Sequence, residues 1–240
     1  MEGGSSEERI YEIWEQSRAN WHRPQLPRPI VASAEEGGFP FKNYRIVVET
    51  GALERGDLYL ENLFDHLIVH YLFCPRSLEM AGRLALAALE GLDGGSDGLA
   101  RRMVNIFTDI VVDTFRLERS EEDEDKVLLG WRELARQELS PLDEAVVGFL
   151  GKLWGVDLPS RDRPEAEALL SVFSWGVNDR SRWPRQCQQM ARVLGDLAPG
   201  VLGSGTVPSV EGLGGDARAA PLSGIASEEE PEAYRKALSV

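Results

Sequence analysis

Apolar residues recur at the spacing of an α-helix through most of the chain, and the strongest repeats lie between residues 57 and 197. Asp57 is a suitable N-cap for the helix that follows it, and Pro141 and Pro164 stand at favourable helix starts. The predicted helices cover residues 5–22, 57–73, 76–92, 99–119, 122–137, 141–155, 164–177 and 181–197. The pattern therefore predicts a mainly helical protein.

Two stretches rich in β-branched residues, 30–34 and 44–49, precede the long helical region. They flank a segment that contains Gly-Gly and Pro, which favours a turn. This arrangement predicts a small antiparallel β-hairpin at about 30–49, close to the N-terminus. The expected fold class is therefore α+β, mainly α.

The composition changes after Pro199, where Gly, Ser, Ala and Pro dominate and few large apolar side chains remain. We interpret residues 199–240 as a flexible linker or tail, with a possible short helix in the final EEEPEAYRKALSV. Because that helix has no stop signal, we expect that more protein normally follows. The predicted organisation is an N-terminal helix within 1–24, a helical domain with its hairpin over 25–198, and the tail.

The charge of the chain limits its partners. The formal net charge is -14, so general electrostatic attraction to nucleic acid or to an anionic membrane is not expected. The N-terminus lacks the basic and apolar regions of a signal peptide, and the longest apolar run is broken by polar residues. Cys74 and Cys187 are too few for a disulfide-stapled secreted scaffold. We expect a cytoplasmic protein.

The segment HLIVH places His66 and His70 four residues apart in a predicted helix. This spacing puts both imidazoles on one face, one turn apart, where they can share a metal ion. Zinc binds neutral imidazole, thiolate and carboxylate, so a third ligand must come from another part of the fold. The alternative is that these are hydrogen-bonded histidines of the core.

The segment NIFTDIVVD offers that third ligand. Asn105, Asp109 and Asp113 recur every four residues and form one polar stripe on an otherwise apolar helix. A stripe that faces water usually carries Lys, Arg and Glu, which favour helices more than Asn and Asp do. The short acids and amide therefore suit a metal site, although a solvent-facing stripe remains the alternative.

The order of a His-x-x-x-His helix, a Pro-containing turn, an Ala/Leu-rich helix, a glycine loop and NIFTDIVVD resembles a zincin-like metallopeptidase domain. Such domains lie N-terminal to von Willebrand factor A-type domains, and the match covers about 44–117. The resemblance implies a zincin-like helical domain that holds zinc through His66, His70 and Asp109, with Asn105 adjacent to these ligands. It also implies metal-assisted hydrolysis of a peptide or protein substrate. A C-terminal von Willebrand A-type domain or a partner protein is the further expectation.

The sequence departs from that family at Leu67, where HExxH has the glutamate that acts as general base. Loss of a general base typically costs about 100-fold to 10,000-fold in rate. Candidate substitutes are Asp65, Glu61, Asp113 and Glu79, and we predict Asp113 as the catalytic carboxylate, with a supporting role beside the ligands as its alternative. The second function left open is a catalytically inactive pseudoenzyme or a helical protein-interaction module.

Five other residues are expected to have structural roles. Cys74 would lie about 12 Å along the helix axis from His66, so we expect it to be a small buried residue at a helix end. The third histidine, His22, is expected at the surface. Trp131, Trp154 and Trp175 fall in predicted helices beside apolar neighbours and are expected in the core.

Overall fold

Helices account for most of the residues that the computed structural model describes, namely 6–32, 41–42, 45–95, 97–119 and 124–197. The α-helices in this part of the chain are α1 (Ser6–Asn20), α2 (Asp57–Leu72), α3 (Leu78–Gly91), α4 (Asp97–Arg119), α5 (Glu124–Ala135), α6 (Pro141–Trp154), α7 (Pro164–Phe173) and α8 (Trp183–Leu194). Short 3-10 helices cover Thr50–Arg55, Arg180–Arg182 and Gly195–Leu197. The prediction of a mainly helical protein is confirmed, and the predicted tail at 199–240 lies outside the described residues.

The start of α2 differs from the prediction. Gly56, with φ of 91°, precedes the helix, and no side chain caps its first turn. Asp57 is instead the first helical residue, and its carboxylate pairs with Arg9 of α1. The predicted N-cap at Asp57 is therefore wrong, because Arg9 draws this carboxylate towards α1 and away from the backbone of its own helix.

The end of α7 also differs, and this changes the environment of one tryptophan. The helix stops at Phe173, and Gly176 then takes a left-handed φ of +80°. Trp175 therefore follows the helix and is 75% exposed, so its predicted place in the core is wrong. Trp131 is buried, as predicted, and Trp154 is partly buried against the core.

The strands form a small sheet whose pairing differs from the predicted hairpin. Strands β1 (Ile30–Ala32), β2 (Phe41–Lys42) and β3 (Arg45–Glu49) lie in the order β1-β3-β2. The antiparallel partner of β3 is β2, while β1 pairs with β3 in parallel. The predicted antiparallel pairing of 30–34 with 44–49 is therefore wrong. The strand that directly precedes β3 in sequence occupies one edge, so β1 lies on the other.

Apolar side chains from all eight helices and from β3 contribute to a continuous hydrophobic core. Helix α1 belongs to this core, since its buried Trp14 packs edge-on against Phe64 of α2 at 5.2 Å between ring centroids. Helix α4 has 23 residues and is buried over most of its length, from Ala100 to Arg116. Across the described residues, no helix combines the length and the apolar content needed to cross a bilayer.

Candidate metal centre

Helices α2 and α4 meet along a line of paired polar side chains, which we call the α2–α4 ladder. The ladder consists of Asn62 paired with Arg116, His66 paired with Asp113, and His70 paired with Asp109. The partner number falls along α4 as the number rises along α2, so the two helices run antiparallel. All six residues are at most 8% exposed. The stripe on α4 therefore faces the protein interior, and the solvent-facing alternative is excluded.

Three of these side chains bring one electron-donor atom each to a common point. Nε2 of His66 lies 2.9 Å from Nε2 of His70, and Asp109 Oδ1 lies 3.0 Å from His70 Nε2 and 3.4 Å from His66 Nε2. Ligands bound at about 2.0–2.1 Å to a tetrahedral zinc ion are roughly 3.3 Å apart. Within the described ranges, these residues form the one group of His, Cys, Asp or Glu whose atoms converge in this way. The geometry brings together all three predicted ligands.

The other ring nitrogen of each histidine is already occupied by an acceptor. His66 Nδ1 lies 2.9 Å from Asp113 Oδ1, and His70 Nδ1 lies 3.0 Å from the backbone oxygen of Cys74. An ionised carboxylate and a carbonyl can only accept, so both Nδ1 atoms donate. A neutral imidazole has one N–H, which leaves a lone pair on each Nε2. The site thus directs two nitrogen lone pairs and one carboxylate oxygen at the same point, and only a cation or added protons satisfy them.

The pKa values of His66, Asp109 and Asp113 are shifted by burial and by one another's charges. Burial lowers the pKa of His66, but Asp113 and Asp109 outweigh burial and raise that pKa to about 9. Burial alone raises the pKa of Asp109, yet its hydrogen bonds to His66 and His70 bring the pKa below its usual value. The pKa of Asp113 is likewise lowered despite its burial, chiefly by the charge of His66. Both carboxylates are therefore ionised at neutral pH and favour a positive charge between them.

Asp113 lies on the Nδ1 side of His66, so the imidazole ring stands between this carboxylate and the point of convergence. Its Oδ1 also accepts from Arg116 Nη1 at 3.0 Å, and its Oδ2 accepts from Trp131 Nε1 at 2.8 Å. Each oxygen of Asp113 is thus already bonded within the protein. The geometry favours the supporting role for Asp113 over the role of catalytic carboxylate.

Sequence reasoning missed three supporting residues: Asn62, Arg116 and Trp131. Arg116 bridges Asp113 and Asn62, with its Nη2 2.8 Å from Asn62 Oδ1. Its position carried a signal, because it lies three residues after Asp113 on the polar stripe of α4. Trp131 lies on α5 and carried no such signal, because its indole hydrogen bond depends on how distant helices pack.

Asn105, predicted next to the ligands, lies one turn before Asp109 on α4 and is partly buried. Its side-chain oxygen Oδ1 is buried and has no hydrogen-bond partner among the described residues. Its backbone carbonyl accepts from Thr108 Oγ1 at 3.0 Å. The side chain of Asn105 is therefore an unsatisfied acceptor on the same stripe as the proposed metal ligand.

The other residues considered from sequence lie outside the group of three. Cys74 is buried just after the end of α2, as predicted, and burial raises the pKa of its thiol. His22 is exposed, which confirms its predicted surface position. Leu67 is fully buried in the hydrophobic core. The position that carries the glutamate of HExxH therefore serves packing in this protein.

Three of the carboxylates considered as substitutes for that glutamate are engaged elsewhere. Asp65 accepts from Trp21 Nε1 at 2.9 Å, and Glu61 pairs with Lys126 at 2.8 Å. Glu79 lies on α3 and is 71% exposed at its side chain. Asp113 already accepts hydrogen bonds at both oxygens. Each of the four candidate carboxylates is therefore paired elsewhere or lies at the surface, which does not favour it as a general base.

Comparisons of the chain with protein-family models, with curated proteins and with solved structures gave no match. The zincin-like resemblance therefore stays a prediction that rests on the two short motifs on α2 and α4.

Proposed function

We propose that this protein is a metal-binding domain that holds a zinc ion through His66 Nε2, His70 Nε2 and Asp109 Oδ1. One observation carries the proposal: these atoms lie 2.9–3.4 Å apart while both Nδ1 atoms are committed to acceptors. In metal sites, a carboxylate or backbone carbonyl commonly accepts from the outer nitrogen of a ligating histidine and fixes its tautomer. Asp113 and the carbonyl of Cys74 supply these two supports.

The competing interpretation of the same geometry is a metal-free network in which protons provide the positive charge. In that case a charged His66 lies between Asp109 and Asp113 and serves only to hold α2 against α4. This network places the two Nε2 atoms 2.9 Å apart with a single proton between them. A zinc ion instead satisfies both lone pairs and the carboxylate at once, which is why we favour the metal.

Within this proposal the domain binds zinc without a general base. Leu67 is fully buried, and both oxygens of Asp113 already accept hydrogen bonds. The second candidate function is metal-assisted hydrolysis of a peptide or protein. It is favoured by the donor set, because two histidines and one carboxylate leave a fourth zinc position for water or substrate. The zincin-like family and its von Willebrand A-type partner domain belong to this second candidate.

The test is elemental analysis of the purified wild-type protein and of the His66→Ala, Asp109→Ala and His22→Ala variants. We expect about one zinc ion per chain in the wild type and much less in the first two variants. His22→Ala is the matched control, because it removes an exposed histidine and should retain the metal. Iron is measured in the same samples, since two histidines and one carboxylate also bind Fe(II).

Equal and near-zero metal in all samples, after growth and purification with added zinc, would contradict the proposal in favour of the protonated network. Iron in place of zinc would retain the site and correct the metal. Zinc that remains in both ligand variants would place the ion elsewhere in the chain.

A further inference from the structure

The side-chain oxygen of Asn105 is the one acceptor on the buried stripe of α4 that the ladder does not explain. Asp109 and Asp113 both have partners on α2. Asn105 Oδ1 is buried and has none among the described residues. A buried acceptor without a partner costs free energy, so such an atom in a folded protein points to a bound water or ion. The partner of Asn105 Oδ1 is therefore expected to be a molecule or ion bound next to the candidate metal centre.

The order of the ladder places Asn105 beside the three ligands. Each step of about one turn along α2 moves the partner three or four residues towards the start of α4, from Arg116 to Asp113 to Asp109. The next position in this series is Asn105. Side chains four residues apart on a helix are neighbours on one face, about 5–6 Å apart between Cβ atoms, so Asn105 is the neighbour of Asp109 on the side of the preceding turn. Asp113 lies on the other side, behind the ring of His66.

We infer that Asn105 Oδ1 holds a water molecule in the fourth position of the metal site by accepting a hydrogen bond from it. The inference rests on the proposed zinc site. Zinc bound by three protein ligands typically has water in the remaining position. On the stripe, Asn105 is the buried acceptor on the side of the three ligands away from Asp113.

Direct ligation by Asn105 fits the structure less well. A fourth tetrahedral ligand would lie roughly 3.3 Å from both Nε2 atoms, which is within hydrogen-bond range. Asn105 Oδ1 makes no hydrogen bond to either imidazole, whereas Asp109 Oδ1, the proposed ligand on the same helix, makes one to His70 Nε2 at 3.0 Å. One water molecule between the metal and the amide satisfies the buried oxygen.

The test uses cobalt(II) in place of zinc, because its visible absorption depends on the ligands around the ion. Zinc affinity, from competition with a chromophoric chelator, and the cobalt spectrum are compared for the wild type, Asn105→Leu and Asn105→Asp. We expect Asn105→Leu to weaken zinc binding about 10-fold, as for loss of other groups adjacent to ligands, and to change the cobalt spectrum. Asn105→Asp keeps an acceptor and adds a negative charge, so it should strengthen zinc binding and also change the spectrum.

The matched control is Thr108→Val, which removes a buried hydroxyl whose one hydrogen bond within the described part of the chain is to the backbone carbonyl of Asn105. It should leave affinity and spectrum unchanged. Wild-type affinity and spectrum in both Asn105 variants would overturn the inference and leave the zinc site standing. If the wild type itself takes up neither zinc nor cobalt, the proposed function fails and the inference with it.

Discussion

Nε2 of His66 lies 2.9 Å from Nε2 of His70, although neither nitrogen has a proton to share while both rings are neutral. Asp113 and the Cys74 carbonyl hold the protons of both rings on Nδ1, so the two Nε2 atoms face each other with lone pairs. A positive charge at the point of contact is therefore required. A metal ion or added protons can supply that charge, and the residues around the two rings affect both.

Asp113→Asn should weaken zinc binding about 10–100-fold, as loss of a carboxylate behind a ligating histidine commonly does. The amide can no longer hold the His66 proton on Nδ1 through a negative charge, so Nε2 becomes a poorer ligand. Chelator competition measures the affinity. Asp97→Asn, in the exposed first turn of α4, is the control and should bind zinc like the wild type. Equal affinity in both variants would remove Asp113 from the site.

Trp131→Phe should lower the free energy of unfolding by about 1.5–3 kcal/mol, the usual contribution of a hydrogen bond to a charged group. The indole donates to Asp113 Oδ2 at 2.8 Å; phenylalanine removes the donor and also some packing volume, a loss that the comparison variant Trp154→Phe shares. Urea unfolding followed by circular dichroism gives the value. In Trp154→Phe the lost bond is to the hydroxyl of Thr114, so about 0.5–1.5 kcal/mol is expected. A larger loss in the Trp154 variant would count against a charged Asp113.

Arg116→Met should be among the most destabilising single changes in the ladder, by about 3–5 kcal/mol. The variant leaves Asp113 and Asn62 buried without the guanidinium that they share. The exposed pair of Arg83 and Glu79, 3.9 Å apart, provides the comparison, and Arg83→Met should cost at most about 1 kcal/mol. Similar urea midpoints for the two variants would contradict the importance of the buried arginine.

The stability of the metal-free protein should fall as the pH rises from 6.5 to about 9. The folded-state pKa of His66 is raised from 6.5 to about 9, where Asp113 and Asp109 outweigh the effect of burial. Its positive charge therefore stabilises the fold fully below pH 6.5, and this contribution is lost as the pH passes through the folded pKa. Urea midpoints measured with a chelator present give the trend.

Zinc should reverse that trend, because protons compete with the metal for Nε2. The gain in urea midpoint on adding zinc should therefore grow across the same pH range. His66→Gln removes the titrating group and should flatten the metal-free profile. A metal-free midpoint that rises between pH 6.5 and 9 would exclude a charged His66 in the folded protein.

Leu67→Glu tests the hydrolase candidate. The position is fully buried, so a carboxylate there should cost several kcal/mol of stability and should produce no peptidase activity. Leu67→Gln is the control, because it is similar in size and uncharged. Zinc-dependent cleavage of a peptide by the Glu variant alone would instead favour a degenerate metallopeptidase.

The sequence predicted most of the helices because their apolar faces are regular, and α4 was predicted to within two residues at its start and at its end. The errors fall where one contact outweighs a local pattern. Arg9 draws Asp57 away from capping α2, and the short strand β2 takes the edge of β3 that the predicted hairpin assigned to 30–34. Arg9 is far from Asp57 in sequence, and the two-residue β2 lies within the segment that the prediction assigned to the turn.

The candidate ligands were predictable because two helices each repeat polar residues at one-turn spacing. Which partner each residue would have was not predictable, since it depends on how far one helix is shifted along the other. Asp113 shows the difference: its position on the stripe left open a substitute general base or a support for a ligand, and its distance of 2.9 Å from His66 Nδ1 suits the support. Trp131 approaches from a third helix and gave no sequence signal.

The α2–α4 ladder also makes the alignment of its two helices selective. If α2 slid along α4 by one turn, His70 would face Asp113 and His66 would face Arg116. Asp109 would then be buried without an imidazole. The ring of His66 would face the guanidinium of Arg116, where it now faces the carboxylate of Asp113. Leucine and valine contacts tolerate such a shift, but unpaired buried charges do not. The polar residues of the ladder thus favour the observed alignment of α2 and α4 over alignments shifted by one turn, even before any metal binds.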